Sequence, residues 1–388
     1  MLAGLGRANC WTIAEHAGHA GPGGLQHLLA AARWDADAVR DDLRGYVTER
    51  LAPADPEQAV LVVDETGDVK KGTHTGGVQR QYTGTAGRIE NSQVAVFLAY
   101  ATPTGCAFID RALYLPKGWT DDHDRMAAVG VPDTIGFATK PALARAMIDR
   151  ALDAGVVMGW VTGDEVYGQD PTLRRNLIGR GVGYVLAVAR DHRVTTEAGT
   201  GHAADLAARL PKRAWQRLSA GSGAKGPRVY DWAQITLTGD TDDGEHRLLL
   251  RRNRSTGELA FYRTWTPTTT PLARLVTVAG TRWRIEEGFQ TAKELAALDQ
   301  HQVRTWTSWH RWTTLALLAH AFLSVLAAAA HPQPQGLIPL TRNEIRRLLI
   351  QLLDRGHRAL TTIAAWSHWR RRHQARAMAC HYRRRQPA

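Results

Sequence analysis

What this chain has little of narrows it first. Its 388 residues include three cysteines, Cys10, Cys106 and Cys380, odd in number and far apart. None belongs to a C-x-x-C pair, which excludes a disulfide framework and the common zinc modules and fits a reducing cytoplasm. The N-terminus has no basic segment followed by an apolar one, so no secretory signal is read there. Acidic residues are also short: 37 Asp and Glu face 49 Lys and Arg, for a net charge of +12. From Gly356 to Ala388 there is no acidic residue at all. Such an excess favours a polyanionic partner, nucleic acid before membrane, through release of phosphate counterions. The remaining composition, 44% hydrophobic and 22% charged, is that of a folded globular chain long enough for two or three domains.

Segments 1–55 and 333–388 read as helical, the latter basic. Segments 56–192 and 276–332 read as two parts of one α/β core, and 193–275 as a β-rich insertion between them. Strands are expected at Ala59–Val63, Val94–Tyr100, Ala107–Leu115, Val156–Val161, Tyr184–Val188, His246–Leu250 and Leu259–Arg263. Thr139 and Pro141 signal a helix running to about Ala154. Trp312 to Ala330 carries no formal charge and approaches membrane-spanning length, but its Ala, Leu, His320 and Ser324 fit a buried core helix better.

Asp64 and Asp164 each follow a buried apolar strand, where α/β sheets converge side chains on one accessible rim. Either alone reads equally well as a turn or helix cap. Together they make a hard-oxygen site suited to magnesium or manganese and not to zinc. A third carboxylate is expected from the helix Arg282-Trp-Arg-Ile-Glu-Glu-Gly-Phe-Gln-Thr-Ala-Lys293. At roughly 100° per residue, Arg282, Glu286 and Lys293 fall within about 40° of one another, while Glu287 points about 140° from Arg282. The stripe therefore selects Glu286 and aims two cations with it. An exposed salt-bridged helix accounts for the same residues. Paired carboxylates also serve glycoside hydrolysis, a chemistry with no use for the Arg tail or the cationic stripe.

Val62-Val-Asp-Glu-Thr-Gly67 and the stretch Lys70-Lys-Gly-Thr-His-Thr-Gly-Gly-Val-Gln-Arg-Gln-Tyr-Thr-Gly-Thr-Ala-Gly-Arg-Ile-Glu-Asn-Ser-Gln93 resemble transposases of the insertion-sequence 701 family. So do Leu115-Pro-Lys-Gly-Trp-Thr120, Gly163-Asp-Glu-Val-Tyr-Gly168 and Arg282-Trp-Arg-Ile-Glu-Glu287 with Trp306, Trp309 and His310. The blocks keep the family's order from about residue 10 to 330. The resemblance implies an RNase H-like core with Asp64, Asp164 and Glu286 as an Asp-Asp-Glu triad holding two Mg2+ ions, or Mn2+ in their place. It implies a transposase of a bacterial insertion sequence that cuts element ends and joins 3′ hydroxyls to target DNA by two-metal chemistry. The partners implied are double-stranded DNA with terminal inverted repeats, target DNA and a second copy of the chain; no membrane is called for. The alternative is a domesticated or decayed relative that binds DNA without cutting. The insertion-sequence 4 group has a Tyr-Arg-Glu-Lys signature; Arg282, Glu286 and Lys293 match it, while Ala279 stands in the Tyr slot. Against the family pattern the chain starts partway into the N-terminal region, as a truncated reading frame would.

DNA contacts are expected from Arg282 and Lys293, from Lys70, Lys71 and Arg80 close after Asp64, and from the tail around Arg370, Arg371 and Arg372. Asp121-Asp-His-Asp124 reads as a polar turn and helix start, and Trp232 and Trp265 as core residues.

Overall fold

The computed structural model describes residues 1–223, 226–238, 244–330 and 340–353. Twelve strands occur among them: β1 (Val60–Val69), β2 (Gln79–Thr83), β3 (Arg88–Ala101), β4 (Cys106–Leu113), β5 (Trp160–Gly163), β6 (Gly183–Val188), β7 (Arg193–Thr196), β8 (Gly199–His202), β9 (Gln216–Gly223), β10 (Gly226–Thr236), β11 (Glu245–Arg252) and β12 (Leu259–Thr266). The helices used below are α1 (Cys10–His16), α2 (Gly23–Ala30), α3 (Ala36–Leu51), α4 (Lys140–Asp153), α5 (Glu165–Gly168), α6 (Leu272–Thr281), α7 (Trp283–Ala296), α8 (Trp306–Ala329) and α9 (Arg342–Leu353). The chain divides into two compact units, one of residues 1–36 and 292–388, the other of residues 37–291.

The second unit is built on a ten-stranded sheet in the order β2-β3-β1-β5-β6-β12-β11-β10-β9, with β4 also paired to β3. Within it, β4, β3 and β1 are antiparallel neighbours, and β5 and β6 run parallel to β1. That order is the RNase H-like core. Val60 to Val63 are all buried, as is the run from Ser92 to Ala101, so both faces of the central strands are covered. The segment 193–275 supplies β7 to β12. Its β9–β12 meander prolongs the core sheet through the antiparallel β12–β6 pair, and β7 and β8 form a separate hairpin.

Two elements differ from the sequence reading. Val156 and Val157 are not in a strand: Val156 N–H is consumed by Ala151 C=O at the end of α4, and Val157 is exposed. Pairing therefore starts only at Trp160. β1 also continues past Asp64 to Val69, because β3 stays paired with it after β5 has separated at Val63–Gly163. The edge of β1 opened by that separation is met by the β2–β3 turn. Thr85 Oγ1 donates to Gly67 C=O at 2.8 Å, and a Cβ at Gly67 would lie 1.9 Å from Thr83 Oγ1. Glycine at the end of Asp64-Glu-Thr-Gly67 is thus a packing requirement.

Behind the sheet, Asp110 is 1% exposed and bound by Arg40 at 3.2 Å and Arg150 at 2.9 Å, which pins α3 and α4 to β4. In the first unit, buried Arg311 of α8 donates to the carbonyls of Leu29 (3.3 Å) and Trp34 (2.9 Å), satisfying groups at and after the end of α2. Helix α8 is the one described helix long and apolar enough to cross a membrane, and 61% of that stretch is buried inside the fold.

Candidate active site

Asp64 and Asp164 reach one place from two neighbouring parallel strands. β1 and β5 are in register at Val63 and Gly163, so the two following residues leave the pair side by side. Asp164 caps α5, accepting from Val166 N–H at 2.9 Å, so the helix-cap reading holds for this side chain, which also stands beside Asp64. Asp64 accepts from Glu65 N–H at 2.8 Å. One carboxylate oxygen from each of Asp64, Glu65 and Asp164 lies within 4.8 Å of the others.

Glu286 arrives on α7. Phe289 packs against Phe97 and Phe108 with centroid separations of 5.4 and 5.0 Å, and Ile285 is fully buried, so this face of the helix is fixed on β3 and β4. Arg282 then stands between the acids, 3.7 Å from Asp64 Oδ2 and 2.8 Å from Glu286 Oε1. Glu287, the neighbour the helix phase rejected, is exposed. Glu286 lies outside the three-carboxylate cluster and is joined to it through Arg282. Lys293 lies further along the same helix, in the segment belonging to the other compact unit.

The electrostatics follow from this crowding. Burial, then the charge of Asp164, pushes the Asp64 carboxyl up to about 7, with Arg282 opposing the rise. Burial and the charge of Glu65 raise Asp164. Among these groups four carboxylates, Asp64, Glu65, Asp164 and Glu286, face two cations, Arg282 and Lys140. The donors are all hard oxygens and the surplus is two negative charges, which fits a divalent cation of the magnesium type.

A cleft of about 700 Å³ opens beside Asp164. Arg228, Arg251 and Arg282 line it together with Tyr230 and Trp283. Arg228 is held by the carbonyls of Ala220 (2.9 Å) and Gly280 (3.0 Å), and Arg251 lies over the Tyr230 ring at 4.8 Å. Such a wall offers charge to phosphate and flat faces to bases.

Other expected positions are more scattered. Lys70 is ion-paired with Asp68, while Lys71 and Arg80 are exposed. Arg370, Arg371 and Arg372 lie outside the described residues. Asp122 caps a short helix through Arg125 N–H, as a polar turn would. Trp232 and Trp265 are buried. The sequence reading passed over Glu65, Lys140, Tyr167, Arg228 and Arg251. For Glu65 a signal existed in its adjacency to Asp64 in Asp64-Glu-Thr-Gly67.

Residues 1–230 match the family model described as DDE superfamily endonuclease. That span includes Asp64 and Asp164 and ends before Arg282 and Glu286. A curated relative, described as a probable transposase for insertion sequence element IS701 of Microchaete diplosiphon, is 28% identical over 195 residues. The match covers 50% of this chain and 47% of that relative, so the chain spans about half the length of the relative it matches. With more than half of its residues inside the family model, the chain belongs to the DDE superfamily endonucleases.

Proposed function

We propose that the chain is a transposase of a bacterial insertion sequence. It acts on double-stranded DNA at terminal inverted repeats, and Asp64, Asp164 and Glu286 are its catalytic carboxylates. The observation that carries this reading is the meeting of Asp64 and Asp164 where the parallel pairing of β1 and β5 ends, with Glu286 tied to Asp64 through Arg282. The same three acids would hold two Mg2+ ions. When bound, the cations supply Lewis-acid stabilisation of the phosphodiester and acidify the attacking water or 3′ hydroxyl.

The residues of the chain do the rest. Asp64 and Asp164 hold their charges close together at the rim, in a site short of cations of its own. Arg282, already shared between Asp64 and Glu286, turns from carboxylate to phosphate without leaving the site. Arg228 and Arg251 offer further positive charge along the adjoining cleft. Lys71 and Arg80 are taken as backbone contacts, with Lys70, Lys293 and the Arg370–Arg372 run in the same role. A second copy of the chain in the DNA complex, and joining to target DNA, belong to the same proposal.

The test is cleavage of linear DNA carrying the element's terminal repeats, in magnesium. Wild type should nick at the repeat ends. Asp64→Ala, Asp164→Ala and Glu286→Ala should each abolish nicking while keeping repeat binding in a gel shift, and Glu287→Ala should keep both. Nicking undiminished in Glu286→Ala removes the third carboxylate. Binding without nicking by wild type shows instead a relative that has lost cleavage.

A further inference from the structure

Asp64 and Glu65 are neighbours on one strand; the pleat starts their side chains on opposite sides, yet at the rim a carboxylate oxygen of each comes within 4.8 Å of the other and of Asp164. Asp64 goes to the side of α7, where its register partner Phe97 stacks on Phe289. Glu65 goes to the other side and is gripped at both oxygens. Lys140 Nζ, from the first turn of α4, donates to Oε1 at 2.6 Å, and Tyr167 O–H donates to Oε2 at 2.6 Å. Both are short charge-assisted bonds, the strong kind.

Tyr167 is three residues past Asp164 and belongs to the turn that Asp164 caps. Its side chain is fully buried. The turn is seated hard against β6, since a Cβ at Gly168 would lie 1.8 Å from Ala187 C=O. The Tyr167–Glu65 bond therefore ties the residue beside Asp64 to the turn that carries Asp164. We infer that Glu65 is a positioning residue: through Tyr167 and Lys140 it fixes the spacing of Asp64 and Asp164, and with it the grip on a divalent cation. The inference rests on the reading of those two aspartates as metal-holding. Groups behind metal-holding residues typically change metal affinity roughly 10- to 100-fold when removed. Glu65 acts on the Asp64–Asp164 pair indirectly, through the backbone it shares with Asp64 and through its bond to Tyr167 in the turn that Asp164 caps.

Direct titration of the full chain with Mn2+ alone, followed by calorimetry or by loss of the free-ion electron spin signal, tests it without any turnover. Asp164→Asn should abolish wild-type binding; if wild type binds no Mn2+, the metal reading fails and takes this inference with it. Given wild-type binding, Tyr167→Phe should weaken Mn2+ about 10-fold, at the low end of the range for such partners. Glu65→Gln should weaken it at least as much. Lys140→Gln separates positioning from charge. Loss of a cation near the carboxylates should tighten Mn2+ by electrostatics alone, whereas loosening the Glu65 grip should weaken it, and weakening is expected. Circular dichroism and the melting temperature accompany each variant. A variant that melts earlier yet binds Mn2+ within twofold of wild type shows a merely structural bond and overturns the inference. Weakening in Glu65→Gln with none in Tyr167→Phe makes Glu65 a ligand in its own right and overturns it equally. If Tyr167→Phe does not fold, Lys140→Gln decides alone.

Discussion

An acid held at about 7 inside a folded chain makes the site a source of instability that can be measured. The perturbation is Asp64→Asn, which keeps the shape and an acceptor for Glu65 N–H and removes the charge. In the fold the Asp64 carboxyl titrates near 7 against 3.8 when unfolded, chiefly through burial and secondly through Asp164. Its side chain is 15% exposed, so water screens it little. Below pH 3.8 the group is protonated in both states and the substitution is silent. Between 3.8 and 7 the unfolded chain releases the proton while the folded chain keeps it, so wild type loses stability as pH rises. Above 7 the loss is complete. At about 1.4 kcal/mol per pH unit the ionised group costs roughly 1.5 kcal/mol at pH 5 and about 4 kcal/mol at pH 8, as upper bounds. Urea unfolding followed by tryptophan fluorescence, in chelator, should therefore show Asp64→Asn more stable than wild type, with a gap larger at pH 8 by up to about 2.5 kcal/mol. A divalent cation at 100 times its dissociation constant should narrow that gap by about 2.7 kcal/mol, because it stabilises only the ionised wild type. A variant no more stable than wild type at pH 8 in chelator, or a gap that does not change between the two pH values, refutes the account of Asp64 as a desolvated acid crowded by Asp164.

Two further substitutions probe the frame around the site. Asp110→Ala strips the shared partner from buried Arg40 and Arg111 and from Arg150, and should cost about 3–5 kcal/mol of unfolding free energy, read as a fall in urea midpoint. Gly168→Ala drives a Cβ into Ala187 C=O at 1.8 Å and should yield insoluble or inactive protein, whereas Gly179→Ala meets nothing within 4 Å and should raise stability by roughly 0.5–1 kcal/mol.

The parts of this site that could be read from sequence are those whose signal is local. Val60–Val63 form a continuous apolar run of the kind a doubly covered strand carries, and Asp164 follows its strand directly. Helix phase separated Glu286 from Glu287, and the fold turns the first toward Arg282 and the second to solvent, because Ile285 and Phe289 fix the docked face. Where the reading went astray, a local rule met a tertiary one. Val156 is as apolar as its neighbours, yet its N–H had already been claimed by the helix before it. Asp64 stands inside a strand because β3 outlasts β5 as its partner, and pairing length is not written in apolarity. The grip on Glu65 joins residues 75 and 102 positions apart, from a helix start and a buried turn that carry no common motif. The cationic cleft is assembled in the same way, from β10, β11 and the start of α7. Asp64, Asp164 and Glu286 can each be picked out from local signals of strand, turn and helix phase. The partners of Glu65 answer only to distance in the fold, so a sequence can point to the acids and still conceal the contacts around them.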